Sequence, residues 1–495
     1  MAVFNATQRH VLLLTNSEYG QANTFIAFAH ALAVQPNVHV HFASFVDASS
    51  RVGQLFESLK QSGTLGSNSM ITFHNIGGRS MKDTSTYLQD GTVIHPPGFR
   101  GAIYSYRIMA DVILGWTAEE YISGVKGCIR IIEDVDPQVI VVDNLLNQGY
   151  DACEKLGREY VASGPFSLKD ISLDKQPNFI TNYPAGSSGY PFPVPWSKVL
   201  PNIALTLYSI YTIFTSPHIK SLHAARKAFG LKGTIPLFRG FRPNVEYIAA
   251  MIPELDFHLP NLPANITMCG PFVLPVTDTV VAADTELASW LQNGGGRTIL
   301  INLGTHALSD NFMAKEIAQA IGSVIQHERN QGRYLQVLWK LKVVEGSSVE
   351  TTVNEELGKE IGAGRVRVIN WLKVDPLAIL QEGSVICSVH HGGANSFFES
   401  VITGTPQIIL PRWYDLYDYA QRVEYLGIGI YASKNAAPGV EAAAFATALI
   451  DIITPDNKYL PKAKALANIC EEKCGGREMA ARRLLELADL ALKDR

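Results

Sequence analysis

The chain is predicted to fold as two α/β domains, each a parallel sheet wound on both faces by helices. Three observations carry this expectation. At 495 residues the chain is too long for one ordinary core. Short apolar runs alternate with helical stretches through the first half, the mark of right-handed β-α-β crossovers. After a proline-bounded stretch at 271–275, the same alternation starts afresh at residue 298.

In the first half, Val11-Leu12-Leu13-Leu14-Thr15 reads as a buried strand, 24–33 as a helix and 38–45 as a second strand. A short strand at 71–73 follows, then helices over 104–114 and 119–133. The run 137–143 is a strand ending in Asp143. Residues 163–201, rich in Pro, Gly and Ser, predict a long loop. In the second half, 285–292 reads as a short helix and 298–303 as a new first strand. Strands at 334–339, 366–370, 385–389 and 406–410 continue the pattern. Helix 462–474, Gly475-Gly476 and helix 477–493 close the chain. This divides the chain into a first domain at 1–265, a second at 266–474 and a closing helix at 475–495.

Composition narrows the function. A 47% apolar, 18% charged chain of net charge −4 describes a globular enzyme, and no basic stripe appears, so no nucleic-acid partner is expected. The six cysteines form no Cys-x-x-Cys pair, which fits reduced thiols in a cytoplasmic protein. The polar N-terminus predicts no signal peptide, and the charged amphipathic run 484–493 predicts no terminal membrane anchor. No His, Asp or Glu cluster has ligand spacing along the chain, so no metal site is expected.

The most informative stretch runs from 384 to 415. An apolar strand, Ser384-Val385-Ile386-Cys387-Ser388-Val389, enters His390-His391-Gly392-Gly393, and Asn395-Ser396 then open a helix. Glycines let backbone approach a ligand, and a helix N-terminus offers unpaired N–H groups and a positive dipole end, which suits a diphosphate. His391, Asn395 and Ser396 can donate to phosphate oxygens. Glu399, one turn on, suits ribose hydroxyls. Asp415, beyond the next strand, suits a sugar. Each residue alone would read as a turn or a structural side chain; their conjunction points to a nucleotide-sugar site.

This constellation resembles the donor signature of UDP-dependent glycosyltransferases, His-x-Gly-x-Asn-Ser-x-x-Glu, then Gly-x-Pro, then Pro-x-x-x-Asp-Gln. The matching residues are His391, Gly393, Asn395, Ser396, Glu399, Gly404, Pro406, Pro411 and Asp415. The run Asp415-Leu416-Tyr417-Asp418-Tyr419-Ala420 is similar to a fungal branch. The resemblance implies the GT-B fold: two Rossmann-like domains facing across a cleft, the first binding the acceptor, the second the UDP-sugar, and the final helix crossing back to the first. It also implies that Gly304 and Thr305 lie against the phosphates and that Trp371 stacks on uracil. Three departures stand out. Trp371-Leu372-Lys373-Val374 replaces Trp-x-Pro-Gln; Leu416 replaces the sugar-binding Gln, leaving Asp418 as one substitute; and Gln21 occupies the position of the usual catalytic histidine.

Glutamine takes no proton near neutral pH, so the base must lie elsewhere. Asp143, which matches the histidine's acidic partner, is placed first, ahead of Glu18 and of His95 in a proline-rich loop. An Asp after a strand also serves as a helix cap. The expected activity is inverting, metal-independent transfer of a hexose, glucose first, from a UDP-sugar co-substrate to a small apolar or phenolic acceptor of secondary-metabolite or lipid type. The alternative is a catalytically impaired nucleotide-sugar-binding protein of the same fold. An epimerase or phosphorylase fits Asp415 and Trp371 poorly. Residues 199–217, uncharged between Lys198 and Lys220, read first as a buried or acceptor-lining helix and second as a peripheral membrane contact.

Overall fold

The computed structural model describes residues 8–276, 278–304, 309–343, 346–473 and 475–493. The first sheet contains β1 (Arg9–Leu14), β2 (Val38–Ser44), β3 (Met70–Asn75), β4 (Val139–Asp143), β5 (Val161–Gly164), β6 (Glu246–Ala249) and β7 (Ile266–Met268). Its order is β3-β2-β1-β4-β5-β6-β7, parallel throughout. The second contains β8 (Thr298–Asn302), β9 (Gln336–Lys340), β10 (Val366–Ile369), β11 (Val385–His390), β12 (Gln407–Ile409) and β13 (Gly429–Tyr431). It is also parallel, in the order β10-β9-β8-β11-β12-β13. The central strands are nearly continuous apolar runs because helices cover both faces; Val11 to Leu14 and Val139 to Val142 are buried.

Each sheet reverses its strand order beside its first strand, between β1 and β4 and between β8 and β11. At such a switch point the two flanking loops diverge and leave a crevice at the strands' carboxyl ends. The loops after β1, β4, β8 and β11 carry Glu18, Asn144, Gly304 and His391, so the topology alone gathers the chemistry.

The first domain extends beyond the expected boundary at 265. Ile266–Met268 pairs with Tyr247–Ala249 as the edge strand β7. Three residues show no readable periodicity, which hid the strand. The expected loop at 163–201 also contains structure: the end of β5, the short helices Leu168–Ser172 and Phe179–Asn182, and the start of helix Trp196–Thr215.

The final helix, Gly476–Lys493, packs on the first helix, Tyr19–Ala33, and on β1. Gly476 makes the turn at φ +50°; a Cβ there would lie 2.9 Å from the Pro271 carbonyl oxygen. Arg483 fixes the register by a two-pronged pair with Glu246 of β6, at 2.7 and 2.8 Å.

Helix Leu416–Leu426 belongs to the second domain yet docks on the first. Arg422 pairs with Asp256 at 2.9 Å, both buried, and the guanidinium lies over the Phe257 and Tyr419 rings. Lys169 pairs with Asp418, Gln421 donates to the Gly189 carbonyl at 2.8 Å, and the Tyr417 hydroxyl donates to the His95 carbonyl at 2.5 Å. These contacts fix one domain against the other at the bottom of the cleft.

Four histidines share one face of β1–β3. His10 Nδ1 lies 3.0 Å from His41 Nε2, and His41 Nδ1 lies 2.9 Å from His74 Nε2. Burial, then the neighbouring imidazoles, lowers His39 to about 4 and His41 to about 3. The unfolded chain binds these protons from about pH 6.5, the folded chain only below about 4. Their stabilising contribution is therefore complete above pH 6.5 and is lost as pH falls toward 4. Urea unfolding in chelator-treated buffer should show stability falling with acid across that window, with a shallower slope in His39→Gln; identical slopes would contradict this.

Candidate active site

A cleft of about 1090 Å³ separates the carboxyl ends of the two sheets. On the second-domain side, β11 ends in two histidines with different tasks. His390 is buried: its Nε2 lies 2.8 Å from Gln407 Oε1 and its Nδ1 accepts the Gly392 N–H at 3.1 Å. His391 turns into the cleft wall, where its ring passes between two glycines. A Cβ at Gly304 would lie 2.7 Å from His391 Cε1, and one at Gly393 would lie 2.7 Å from His391 Nε2. The glycines are there because an imidazole needs their space.

Helix Ala394–Ile402 begins immediately afterwards with no side-chain cap. Its first backbone N–H groups face the cleft beside Asn395 and Ser396, an anion seat by geometry and dipole. Gly304 completes the seat from the end of β8, its N–H held by Asn302 Oδ1 at 3.2 Å. Thr305 lies outside the described residues. Glu399, one turn along, is pushed up to about 8 by burial and by Asp375, so near neutral pH it carries a proton and can both donate and accept. Trp371 stands 57% exposed on the cleft wall, with the Lys340 ammonium 4.3 Å from its ring centre. A flat, open aromatic face with a cation behind it suits a planar base.

At the cleft floor, Asp415 is solvent-exposed toward the cavity. Burial, with Asp170 and Asp418 nearby, pushes its carboxyl up to about 7. Asp418 also lines the cleft; Lys169 holds its Oδ2 in a buried ion pair, while its Oδ1 is buried with no hydrogen-bond partner. Asp170 lines the cleft from the first domain, its Oδ2 accepting from Ser167 Oγ at 2.8 Å.

The first-domain side is apolar, formed by residues such as Val93, Ile94, Met109, Ile113, Phe166 and Phe241. Polar residues share that side: Glu18, Gln21, Asn23 and Asn144 near the junction, and the charged Lys82, Asp170, Asp174, Arg239 and Arg242 elsewhere. Asp143, expected first as the base, is fully buried and does not line the cleft. Its oxygens accept Thr15 Oγ1 at 2.8 Å, the Asn16 N–H at 3.2 Å and the Leu145 N–H at 2.9 Å. Asp143 therefore ties the loop after β1 to the loop after β4, which excludes it from meeting an acceptor.

His95 is corrected likewise. Its Nδ1 lies 2.8 Å from the Pro96 carbonyl, its Nε2 accepts the Tyr414 N–H at 3.1 Å, and its ring is buried away from the cavity. Both nitrogens are occupied, and the Nε2 contact ties the first domain to the second. Glu18 lines the cleft: Oε1 accepts the Lys82 N–H at 2.8 Å, while Oε2 is buried with no hydrogen-bond partner. Burial, reinforced by Asp143 and Asp47, raises its pKa above the ordinary carboxylate value.

The erythromycin biosynthesis protein CIII-like C-terminal domain family matches residues 346–486. Over 442 residues the chain is 35% identical to the glycosyltransferase sdnJ of Sordaria araneosa, covering 87% of this chain and 85% of that protein. The chain belongs to the UDP-dependent glycosyltransferase family. The Sordaria relative places this glycosyltransferase in a fungal branch. Its fold is GT-B. A UDP-glucosyltransferase from Polygonum tinctorium, capable of glucosylating indoxyl, superposes with a TM-score of 0.64 at 17% identity, covering 98% and 99% of the two chains. Phytolacca americana UGT2, complexed with UDP-2-fluoro-glucose and pterostilbene, gives 0.62 at 15%, covering 99% and 100%.

Within the glycosyltransferase, the fold gathers Gly304, Trp371, His391, Gly393, Asn395, Ser396, Glu399 and Asp415 on the second-domain wall and Glu18 opposite them. Lys340 and Asp170 were missed by the sequence reading. Lys340 ends β9 beside the switch point, a position that strand order would have flagged; Asp170 sits in a segment read as a loop. The expectation of no metal site rested on spacing along the chain, which does not report on side chains brought together by the sheet. Ligand nitrogens of His10, His39 and His41 lie within 4.8 Å of one another, from two strands that sequence spacing does not connect.

Proposed function

We propose that the protein transfers a hexose, glucose first, from a UDP-sugar to a small apolar or phenolic acceptor with inversion at the anomeric carbon. The observation that carries this is the uncapped helix start at 394, with His391 held between Gly304 and Gly393 beside it. In this reading the uracil stacks on Trp371, Glu399 holds the ribose, and His391 with the helix N–H groups receives the diphosphate. Asp415 and Asp170 orient the sugar.

Glu18 takes the proton from the acceptor hydroxyl as that oxygen attacks the anomeric carbon. The bond from that carbon to the phosphate oxygen breaks, and the charge that develops on UDP falls on the helix terminus and His391. The apolar first-domain wall selects acceptors poor in charge. UDP release from UDP-glucose, alone and with a panel of phenols and sterols, tests the reading. Tight UDP binding with no acceptor-stimulated release would favour the impaired binding protein.

Two further outcomes separate the roles. Trp371→Ala should weaken UDP itself, whereas Asp415→Ala should spare UDP and lower turnover at saturating donor; isothermal titration and initial rates read these apart, and a reversed pattern would contradict the assignment. Turnover should persist in excess EDTA, since protein donors alone hold the diphosphate. Chelator-abolished turnover restored by manganese would contradict that step.

A further inference from the structure

We propose that the protein docks on an anionic lipid surface through helix Trp196–Thr215, presenting the acceptor end of its cleft to the bilayer. The helix has two unlike faces. Trp196 is 94% exposed, Leu200 78% and Phe214 67%, and Leu207, Ile210 and Tyr211 are exposed with them. At 3.6 residues per turn these six fall within an arc of about 100–120° that runs the helix's length, about 27 Å. Only Asn202 and Leu205, on the opposite side, are buried. Thr206 and Ser209, also off the exposed arc, line the cleft. One helix thus connects a large outward apolar face to the apolar half of the cavity.

Charge selects the occupant. Residues 175–245 contain no Asp or Glu, in a chain whose net charge is −4. Within that segment Lys175 pairs with Asp174, Arg226 with Asp151, and Arg239 and Arg242 with Glu154. Lys198, Lys220, Lys227 and Lys232 are exposed with no ion pair among the described residues. An apolar and aromatic face in a segment whose unpaired charges are all lysines matches an interface rich in acidic headgroups. A second copy of the chain would oppose lysines to lysines across a two-fold axis. Among the described residues no single helix is long and apolar enough to cross a membrane, and the pair Trp196–Thr215 and Pro217–Ala228 is bent by 53°, so the contact is a helix lying on the surface.

The orientation of the cleft rests on the acceptor reading above; the docking itself does not, and it is measured without turnover. Flotation compares vesicles of phosphatidylcholine alone with vesicles of phosphatidylcholine and phosphatidylserine. Wild type should bind the mixed vesicles at least tenfold more than the neutral ones. Leu200→Ser/Leu207→Ser/Phe214→Ser should lose at least tenfold with UDP affinity unchanged, and Lys198→Glu/Lys220→Glu should lose the serine-lipid preference. If the triple variant does not fold, Leu200→Ser alone carries the comparison. Equal binding by wild type and variant would overturn the proposal. So would a wild-type dimer that ignores vesicles and becomes monomeric in the variant.

An independent observation points to a divalent transition-metal site on β1–β3. His10, His39 and His41 bring one ligand nitrogen each within 4.8 Å of the others, and His74 reaches His41 at 2.9 Å. Three neutral imidazoles match zinc, nickel or copper, at metal–nitrogen distances of about 2.0–2.1 Å after small ring rotations. None of the four lines the cleft, so the site would join strands without entering the reaction. Chelator-stripped protein titrated with zinc should bind one equivalent, weakened at least a hundredfold in His39→Gln/His41→Gln and in the less buried His10→Asn, with a zinc-dependent rise in melting temperature. Zinc binding equal in wild type and variants, or weaker than one equivalent, would overturn it.

Discussion

Replacing Glu18 by Gln is expected to lower kcat by about 10²–10⁴-fold with UDP affinity retained, because the amide keeps the shape but cannot take a proton. Glu18 combines what the reaction asks of a base: a place on the cleft wall between the apolar half and the phosphate seat, one oxygen held by the Lys82 N–H, and the other without a partner. Burial raises its pKa and so strengthens it as a base, and the rate on an alkyl alcohol should climb as pH rises through that pKa. A phenol of low pKa, partly ionised on arrival, should suffer least from the substitution. Asp143→Asn should act differently, loosening the loops after β1 and β4 and lowering stability more than rate. Equal rates for Glu18→Gln and wild type on an alkyl alcohol would remove Glu18 from the mechanism.

His391→Ala is expected to weaken use of the UDP-sugar by at least tenfold, since a hydrogen bond to a charged group contributes about 1.5–3 kcal/mol. Gly304→Ala should reproduce much of that loss without touching the imidazole chemically. Its Cβ would lie 2.7 Å from the His391 ring, and its backbone at φ +89° disfavours any side chain. Initial rates at varied UDP-glucose measure both. A Gly304→Ala enzyme with wild-type kinetics would show that the position of His391 is not critical.

The fold was legible where apolar runs were long. Val11 to Leu14, 298–303 and 385–389 announced parallel strands, whereas the strand order of each sheet emerged only from the structure. Strands β5, β6, β7 and β13, of three or four residues, left no periodic mark and were missed. Most of the donor wall was legible because His391 to Asp415 sit within 25 residues of chain; Gly304 and Trp371 lie outside that run and were drawn in by resemblance.

The base was not legible in the same way. Asp143 looked right by position, but whether a strand-end acid faces ligand or backbone depends on neighbours such as Thr15 and Asn16, across 127 residues and more of sequence. Glu18 carries no motif; only the topology that sets β1 beside β4 makes it stand out. His95 and helix Leu416–Leu426 show the same limit, since contacts between domains leave no local pattern in either segment.

The most direct test is acceptor-stimulated UDP release, measured for wild type and Glu18→Gln side by side with UDP-glucose and a phenol and alkyl-alcohol panel, with products weighed by mass spectrometry. The account predicts that wild type releases UDP in step with a hexose-bearing product, and that Glu18→Gln binds UDP equally but turns over alkyl alcohols at least a hundredfold more slowly. A protein that binds UDP yet forms no hexoside with any acceptor, or whose two forms turn over alike, would contradict it.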